Sequence, residues 1–400
     1  MPPPAVALFT SYPLAQPRSG GQLRAEALAR HYEASGFSVS RVGLYAARAF
    51  PRQEQGPLDV EFPLDAPATF ADGKVLPASD DLQSGLCVAR TDALFQKVVA
   101  RLPERVDVFH LEQPWALPVV QRLRTLARFR DARLVYGSQN VEAPLKAAIC
   151  AQRGLDARVV ALVEQTERQA CALADVVLAV SSSDAEALAA MGARKLVLAP
   201  NGIWPSTADA REVERWRRTL GGRRVALFVG SGHPPNAAGF VHALGDALGF
   251  VPPDAVIVAA GRVGQALEAH YAKVRWPSLV ASRLVITGEL DDAGLAALKA
   301  LASLYLLPIF EGGGSNIKTS EAILSGREII ATSVSLRGFD RYLQLPELTV
   351  ADEPEDWARA VREHLVRPEK PAAPVDALRA ALVWDATLAT VAPAVREVLA

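Results

Sequence analysis

The segment RVALFVGSGHPPNAAGFVHALGD, residues 224–246, joins a run of apolar residues, a loop of glycines and prolines, and a helical pattern. The segment AVALFTSYPLAQPRSGGQLRAEALARHYEASG, residues 5–36, has the same order near the start of the chain. A short apolar run bounded by turn residues is typical of a strand buried on both faces, and the helix after it is typical of a crossover connection. The sequence therefore predicts two similar folding units, each beginning with a strand, a loop and a helix.

Further β-branched runs alternate with alanine- and leucine-rich helical segments after both of these starts. This alternation predicts two α/β domains with doubly wound parallel sheets, and 400 residues suit two domains of ordinary size. We predict domains at residues 1–204 and 223–375, a linker at 205–222 and a terminal helix at 376–400. Because ligands bind beyond the carboxyl ends of parallel strands, two such domains that face each other would share a central cleft.

Composition argues against several classes of protein. A net charge of −1 gives no reason to expect a nucleic-acid partner. Cys87, Cys150 and Cys171 are few and widely spaced, so they fit neither a zinc site nor a disulfide framework and indicate a reducing compartment. The first twenty residues lack the basic start of a signal peptide, and no apolar run approaches the ~20 residues of a membrane span. We therefore expect a cytoplasmic protein, with peripheral attachment to the inner face of a membrane left open.

The segment FEGGGSNIKTSEAILSG, residues 310–326, predicts a site for an anion. Its three glycines allow close backbone approach, and Lys318 adds positive charge to a helix start that already attracts anions. If the helix starts near Asn316, Glu321 lies in line with packing residues such as Ile317. Inside a cleft, Glu321 would accept hydrogen bonds from two neighbouring hydroxyls, such as a ribose diol, and Lys318 would bind the adjoining phosphates. A glycine-rich turn with a solvated Glu–Lys pair fits the same residues.

Two other phosphate-binding motifs fit less well. A P-loop needs a glycine directly before its lysine, whereas residues 312–319 place the β-branched Ile317 there. A dinucleotide fingerprint needs three glycines after a strand, whereas residues 229–236 supply two and place Pro235 at the third position. Arg262, after the next strand, would suit an NADP-type phosphate, so this second signal is weak rather than absent.

Four segments, spread in order over nearly the whole chain, resemble the glycosyl transferases of group 1: RSGGQLRAEALARHYEASGFSV, VSSSDAEALAAMGARKLVLAPNGI, VGSGHPPNAAGF and PIFEGGGSNIKTSEAILSGREIIATSVSLRGF. The resemblance implies the GT-B fold, with two Rossmann-like domains and a C-terminal helix that crosses back to the first. It implies an enzyme that moves a sugar, usually with anomeric retention, from a nucleotide-sugar donor on the C-terminal domain to a carbohydrate or lipid-linked acceptor on the N-terminal domain. Since the sequence has no Asp-x-Asp pair and no histidine cluster, we expect no metal and no other cofactor.

The resemblance also implies individual site residues. Glu321 matches the glutamate that binds the ribose hydroxyls, and Gly20 and Gly21 match a glycine loop near the donor phosphates. The implied donor site comprises Gly20, Gly21, Ser231, Gly232, His233, Asn236, Arg262, Gly313, Gly314, Ser315, Asn316, Lys318 and Glu321.

Three departures from the family pattern affect this assignment. A second family glutamate falls at Gly313, so Glu321 alone remains. An Arg and a Lys expected in the first loop of the C-terminal domain are missing, and we expect Lys318 and Arg262 to supply that charge. Many relatives also place a histidine where this chain has Glu112.

His110 and Glu112 point to the same side of a predicted strand, so we predict that both contribute to catalysis together with Lys318. A histidine satisfied at the sheet edge and a glutamate that caps a neighbouring turn fit equally well. Asn140 and Glu142 follow the next strand and are predicted to contact the acceptor, with a turn asparagine and an exposed glutamate as the alternative.

Two other functions remain open at this point. A nucleotide-sugar epimerase on the same fold would convert a donor without an acceptor. A catalytically silent GT-B subunit would bind nucleotide or a partner protein, and the missing family Arg, Lys and His keep this alternative open. Measuring donor consumption with and without acceptors would separate these functions.

Overall fold

The computed structural model describes residues 2–50, 54–63, 69, 70, 72–74, 76, 80–311 and 316–400. The chain divides into two compact units. Unit 1 contains Met1–Asn201 and Trp384–Ala400, and unit 2 contains Gly202–Val383. Gly313, Gly314 and Ser315, which the sequence analysis assigns to the donor site, lie outside the described residues. The acceptor-side and donor-side roles of the two predicted domains stay predictions.

Unit 1 is built on a seven-stranded sheet in which every described pairing is parallel, with the order β3-β2-β1-β4-β5-β6-β7. Strands such as VFHLE at β4 are buried along their whole length, as expected for a sheet covered on both faces. The strands are β1 (Ala5–Thr10), β2 (Ser38–Tyr45), β3 (Val60–Glu61), β4 (Val108–Glu112), β5 (Arg133–Gly137), β6 (Val176–Ala179) and β7 (Leu196–Leu198).

Most helices of unit 1 lie between these strands in the sequence, whereas the last two come from the end of the chain. They are α1 (Gly20–Ala34), α2 (Asp80–Arg90), α3 (Asp92–Arg101), α4 (Leu117–Leu123), α5 (Glu142–Arg153), α6 (Arg158–Leu173), α7 (Ser182–Ala190), α16 (Trp384–Thr387) and α17 (Val391–Leu399). The three cysteines are buried free thiols of this unit.

Unit 2 is built on a six-stranded sheet, again with parallel pairings throughout its described strands, in the order β10-β9-β8-β11-β12-β13. Alternate residues of β8 enter two separate cores, with Val225 and Leu227 on one face and Ala226 and Phe228 on the other. The strands are β8 (Arg224–Val229), β9 (Ala255–Ala260), β10 (Leu284–Gly288), β11 (Ala302–Leu307), β12 (Glu328–Ala331) and β13 (Leu348–Val350).

The helices of unit 2 cover both faces of its sheet. They are α8 (Ala210–Thr219), α9 (Pro234–Leu244), α10 (Gly264–Tyr271), α11 (Pro277–Arg283), α12 (Asp292–Leu301), α13 (Ile317–Leu324), α14 (Pro354–Val366) and α15 (Ala377–Ala380). In the part of the chain that the structure describes, none of the helices of either unit combines the length and apolar character needed to cross a bilayer.

Each sheet has one point at which the strand order reverses. It lies between β1 and β4 in unit 1 and between β8 and β11 in unit 2. In open α/β sheets, ligands bind beyond the carboxyl ends of the strands at this switch point. The fold therefore directs attention to the loops after β1 and β4, and after β8 and β11.

Candidate functional site

The switch point of unit 2 brings together two loops that the sequence analysis assigns to the donor. Ser231 and Gly232 follow β8, and Lys318 lies in the first turn of α13, which follows β11. Helix α13 begins as predicted: Asn316 is its N-cap, and Oδ1 of Asn316 accepts a hydrogen bond from the Lys318 amide at 3.1 Å.

The half-buried side chain of Lys318 joins the two loops. Its Nζ donates to Oδ1 of Asn236 at 2.9 Å, and Nδ2 of Asn236 donates to the main-chain oxygen and Oγ of Ser231 at 3.1 and 3.0 Å. Burial lowers the pKa of Lys318 to about 8, although Glu321 acts to raise it. The amine is therefore mostly charged at neutral pH, and a bound anion would raise its pKa again.

Glu321 lies one turn further along α13 and is held by a lysine from another helix. Nζ of Lys299, on α12, lies 2.7 Å from Oε1 of Glu321, and the two side chains are 19% and 26% exposed. Among the described residues, Oε2 of Glu321 has no hydrogen-bond partner. The carboxylate is thus fixed at one oxygen and open at the other.

The predicted packing stripe of α13 is wrong. The buried positions of this helix are Thr319, Ser320, Ala322 and Ile323, whereas Glu321 and its stripe are only half-buried. The hydroxyl residues occupy the core because their polar atoms find partners there, as Oγ1 of Thr319 does when it donates to the main-chain oxygen of Ser335 at 2.7 Å. Glu321 therefore lies at the edge of the packed face, where a ligand can reach it.

Arg262 follows β9 and lies beside the first loop, because a Cβ added at Gly232 would be 3.4 Å from the Cβ of Arg262. His233 is the exposed N-cap of α9. The next two residues are prolines without an N–H, and the amide of Asn236 donates to the oxygen of His233 at 3.0 Å. This helix start therefore offers few free donors to an anion, and the side chains of Lys318 and Arg262 carry the positive charge.

In unit 1, a buried carboxylate lies at the switch point. Glu112 ends β4 and is 1% exposed. Its Oε2 accepts a hydrogen bond from Nε2 of Gln139 at 2.7 Å and lies 3.4 Å from Nε of the buried Arg24. Gln139 Nε2 also donates to the hydroxyl of Tyr12 at 2.5 Å, and Nη1 of Arg24 donates to the oxygen of Ala199 at 2.7 Å. The network ties β4 to the loop after β1, to α1 and to the end of β7.

His110 and Glu112 lie on the same side of β4, as predicted, and both point into the interior. His110 is 0% exposed, with Nε2 3.3 Å from Oε1 of Glu112 and Nδ1 2.9 Å from the hydroxyl of Tyr32. Burial raises the pKa of Tyr32, so its hydroxyl stays protonated and a His110 with its proton on Nε2 satisfies all three groups. The neighbouring strand must have a glycine here, because a Cβ at Gly137 would be 2.0 Å from Oε1 of Glu112.

The predicted glycine loop forms the start of α1. Gly20 is exposed and Gly21 is half-buried. Oε1 of Gln22 accepts a hydrogen bond from the amide of Ser19, the N-cap, at 3.0 Å. A Cβ at Gly21 would lie 2.6 Å from Oε1 of Gln139, so the helix start approaches the Glu112 network closely.

Asn140 follows β5 and is half-exposed. Glu142 is buried, so the alternative of an exposed glutamate is wrong. Both oxygens of Glu167 accept hydrogen bonds from the first amides of α5, including that of Glu142 at 2.9 Å. Burial, and then Asp81, raise the pKa of Glu142 to about 8, although Lys146 acts to lower it. Among the described residues, Oε1 of Glu142 has no hydrogen-bond partner. Its carboxyl group is therefore mostly neutral at pH 7.

Two family models match the chain and together span most of it. The Glycosyl transferase 4-like domain matches residues 19–202, and Glycosyl transferases group 1 matches residues 223–367. The chain belongs to the GT-B glycosyltransferases. A search of curated protein sequences finds no significant match to this glycosyltransferase.

Solved structures show the same fold over nearly the whole glycosyltransferase chain. Sucrose-phosphate synthase from Thermosynechococcus elongatus is 16% identical with a TM-score of 0.62, and the alignment covers 99% of each chain. HepE from Anabaena, in complex with UDP-glucose, is 16% identical with a TM-score of 0.64 and covers 98% of this chain and 99% of its own. WaaG, a glycosyltransferase involved in lipopolysaccharide biosynthesis, is 18% identical with a TM-score of 0.61 and covers 97% and 95%.

The structure of the glycosyltransferase assembles some predicted residues and adds others that the sequence analysis missed. Ser231, Asn236 and Lys318 are joined by hydrogen bonds, and His110 contacts Glu112. The missed residues are the direct partners of predicted ones: Arg24, Gln139 and Lys299. For Arg24 the sequence held one indication. Arg24 lies four residues before Leu28 and so shares its face of α1, and Leu28 is fully buried. Lys299 stands among alanines and leucines and gave none.

The arrangement can stabilise negative charge in unit 2. Lys318 and Arg262 lie beside the loop after β8, and Glu321 is an open acceptor nearby. Within the described ranges, no three His, Cys, Asp or Glu side chains form a cluster that could hold a metal ion. The catalytic and binding roles of the individual residues stay predictions.

Proposed function

We propose that this glycosyltransferase moves a sugar from a nucleotide-sugar donor to a carbohydrate or lipid-linked acceptor, with retention at the anomeric carbon. The junction of the two loops at the unit 2 switch point carries the proposal. There the ammonium group of Lys318 and the open carboxylate of Glu321 lie one turn apart. This spacing suits a phosphate followed by a ribose diol. Solved neighbours of the same fold, among them the HepE complex with UDP-glucose, support it.

In the proposed reaction, the bond between the sugar and the diphosphate breaks as positive charge develops on the sugar. The departing diphosphate gains negative charge, which Lys318 and Arg262 stabilise without help from a metal ion. Preorganised positive charge of this kind can lower the free energy of the transition state by several kcal/mol. In a retaining enzyme of this type, the acceptor attacks from the same face and a leaving-group oxygen takes its proton. No nucleophilic carboxylate is then required.

The Glu112 network has a supporting part in this proposal. Because His110 and Glu112 are buried and bonded to each other, we assign them to positioning the half-exposed Gln139 and the start of α1 at Gly20. Because a helix start attracts anions, the start of α1 is proposed to bind the donor phosphates. The half-exposed Asn140 is proposed to bind acceptor hydroxyls, and the buried Glu142 to help position Asn140.

The proposed location is the cytoplasm, where buried thiols such as Cys171 stay reduced. A lipid-linked acceptor would place the enzyme at the inner face of a membrane, held there by its substrate or by loose surface contact.

A panel of UDP, GDP, ADP, CMP and dTDP in a thermal-shift assay without added metal tests the proposal. A ligand that binds only the folded protein raises its unfolding temperature, so one nucleotide is expected to give the largest shift. Glu321→Ala is expected to weaken that binding by about 1.5–3 kcal/mol per lost hydrogen bond. Lys318→Ala is expected to lower turnover as well, because the diphosphate loses a charged partner.

Glu186→Ala is the matched control, since Glu186 is an exposed helical glutamate of unit 1. Its nucleotide shift should equal that of the parent. Parent-like nucleotide binding by both Glu321→Ala and Lys318→Ala would contradict the proposed site. A flat panel for the parent would instead favour the silent subunit.

A further inference from the structure

Lys299 is the one cation within ion-pair distance of Glu321 among the described residues. Both side chains are partly exposed, and pairs of this kind contribute little to the stability of a fold. The pair therefore calls for another explanation. We infer that Lys299 positions Glu321 for a ribose cis-diol and so makes the site selective for ribonucleotide donors over 2′-deoxyribonucleotide donors. This inference rests on the function proposed above and deepens it.

The geometry fixes one end of the carboxylate and leaves the other free. A glutamate side chain has three rotatable bonds, and an unpaired one at the surface would sample many orientations. The 2.7 Å contact of Lys299 with Oε1 restricts that freedom, while Oε2 has no partner among the described residues. The diol would then meet an acceptor group that is already oriented.

Lys299 is itself well placed to hold a fixed position. It lies near the end of α12, where Ala297 and Leu298 are fully buried, and its main-chain oxygen accepts a hydrogen bond from the hydroxyl of Tyr305 at 3.2 Å. Helix α12 is therefore anchored to β11, directly before the loop that leads into α13.

The two lysines near Glu321 have separate partners. Lys318 donates to Asn236 at 2.9 Å and leaves the carboxylate to Lys299. A bare carboxylate next to a diphosphate would repel it, and the charge of Lys299 offsets that repulsion. Lys318 remains available to the phosphates. The division of tasks explains why one short helix can bind both an anion and hydroxyl donors.

A nucleotide without the 2′-hydroxyl tests this role directly. The binding constants of UDP, ADP and GDP and of their 2′-deoxy counterparts are measured by calorimetry for the parent, Lys299→Met, Lys299→Gln, Lys299→Arg and Glu321→Gln. Lys273→Met is the matched control, since Lys273 is an exposed lysine of the same unit. Thermal unfolding without nucleotide reports whether each variant is folded.

We expect the parent to prefer its ribonucleotide by roughly tenfold or more, the ratio that one hydrogen bond to a charged group provides. Glu321→Gln should remove most of the preference, and Lys299→Met and Lys299→Gln should reduce it even where the variants unfold at the parental temperature. Lys299→Arg should restore it, and Lys273→Met should leave it unchanged. In the double variant of Lys299→Met and Glu321→Gln, the preference should equal that of Glu321→Gln alone.

Three results would overturn the inference, and the first can be told apart from the other two. A full preference in folded Lys299→Met or Lys299→Gln, together with its loss in Glu321→Gln, would make Lys299 a structural residue and leave the proposed function standing. A parent that binds none of the six nucleotides, or that binds both sugar forms equally, would remove the proposed ribose contact and the role of Lys299 with it.

Discussion

Lys318 gives the proposed phosphate site a cation that titrates close to neutral pH. Its amine is held against Asn236 in a partly buried position, and burial lowers its pKa to about 8. Burial penalises the charged form, and a bound diphosphate would favour it again. Donor binding should therefore be coupled to uptake of a proton whenever the free amine is deprotonated.

This coupling can be measured at about pH 9, one unit above the pKa of about 8. We expect calorimetric titrations of the preferred nucleoside diphosphate in buffers of different ionisation enthalpy to show uptake of about one proton, and almost none near pH 7, where both Lys318 and the terminal phosphate are mostly charged. Lys318→Arg should bind without uptake at either pH, because a guanidinium stays protonated. Binding by the parent that is independent of buffer at pH 9 would show that Lys318 stays out of contact with the phosphates.

At this scale, the sequence predicted the residues of the motif but not their partners. Lys318, Asn236 and Ser231, which the resemblance assigns to the donor site, are joined by hydrogen bonds, and their role in binding stays a prediction. The contact between Glu321 and Lys299 joins two helices across 22 residues, and no local pattern predicts such a pair. Arg24 likewise contacts a residue that is distant in the sequence, because its partner Glu112 lies on β4.

Among the elements, α5 has an unusual start. Two carboxyl groups lie there, and they differ in their surroundings. Glu167 accepts hydrogen bonds from two helix amides and from the hydroxyl of Tyr136, whereas burial and Asp81 raise the pKa of Glu142 from 4.5 to about 8. The folded form therefore holds the Glu142 proton at pH values where the unfolded chain releases it.

Replacing this carboxyl should change the pH dependence of stability. Between about pH 4.5 and pH 8, the folded state binds more protons at Glu142 than the unfolded state, so the contribution of Glu142 to stability falls as pH rises. Glu142→Gln should therefore unfold in denaturant like the parent near pH 5 and be more stable than the parent, by more than about 1 kcal/mol, at pH 8.

Glu186→Gln, at an exposed helical position, controls for the general effect of removing a carboxylate. The free energy of unfolding of Glu186→Gln should differ from that of the parent by the same amount at pH 5 and pH 8. If Glu142→Gln were no more stable relative to the parent at pH 8 than at pH 5, this carboxyl would be ionised in the folded protein.

Most strands were predictable, whereas the edge strands β3 and β13 were not. Buried runs such as residues 225–228 are apolar throughout, and this pattern identifies them as strands. The edge strands β3 and β13 have two and three residues and are only partly buried, so they carry no such signal. The packing face of α13 was misassigned for a related reason, since Thr319 and Ser320 are polar residues that the core accepts.

For the molecule as a whole, unit 1 is discontinuous in sequence and unit 2 is continuous. The chain leaves unit 1 after Asn201 and returns to it at Trp384. The segments by which it enters and leaves unit 2 lie side by side, with the amide of Ile203 donating to the oxygen of Leu382 at 2.9 Å. The final helices therefore belong to the fold of unit 1, although they follow unit 2 in the chain.

Ending the chain at Val383 should accordingly destabilise unit 1 and spare unit 2. The removed segment buries Trp384, Leu388, Val391 and Val395 at 0–3% exposure. At about 1.5–3 kcal/mol per buried side chain, this burial is comparable with the whole stability of a domain. Hydrogen exchange should show lost protection in β6 and β7 and retained protection in β8 and β9.

Single substitutions sharpen that experiment. Val395→Asp is expected to reproduce the loss, because it places a charge in the interior of unit 1. Val395 lies in α17 next to Ala394, whose main-chain oxygen accepts a hydrogen bond from Nζ of Lys195 at 3.2 Å. Val375→Asp, at a valine that is 61% exposed, should leave both units protected. If the shortened chain kept full protection in β6 and β7, residues 384–400 would contribute little to the stability of unit 1, and this prediction would be wrong.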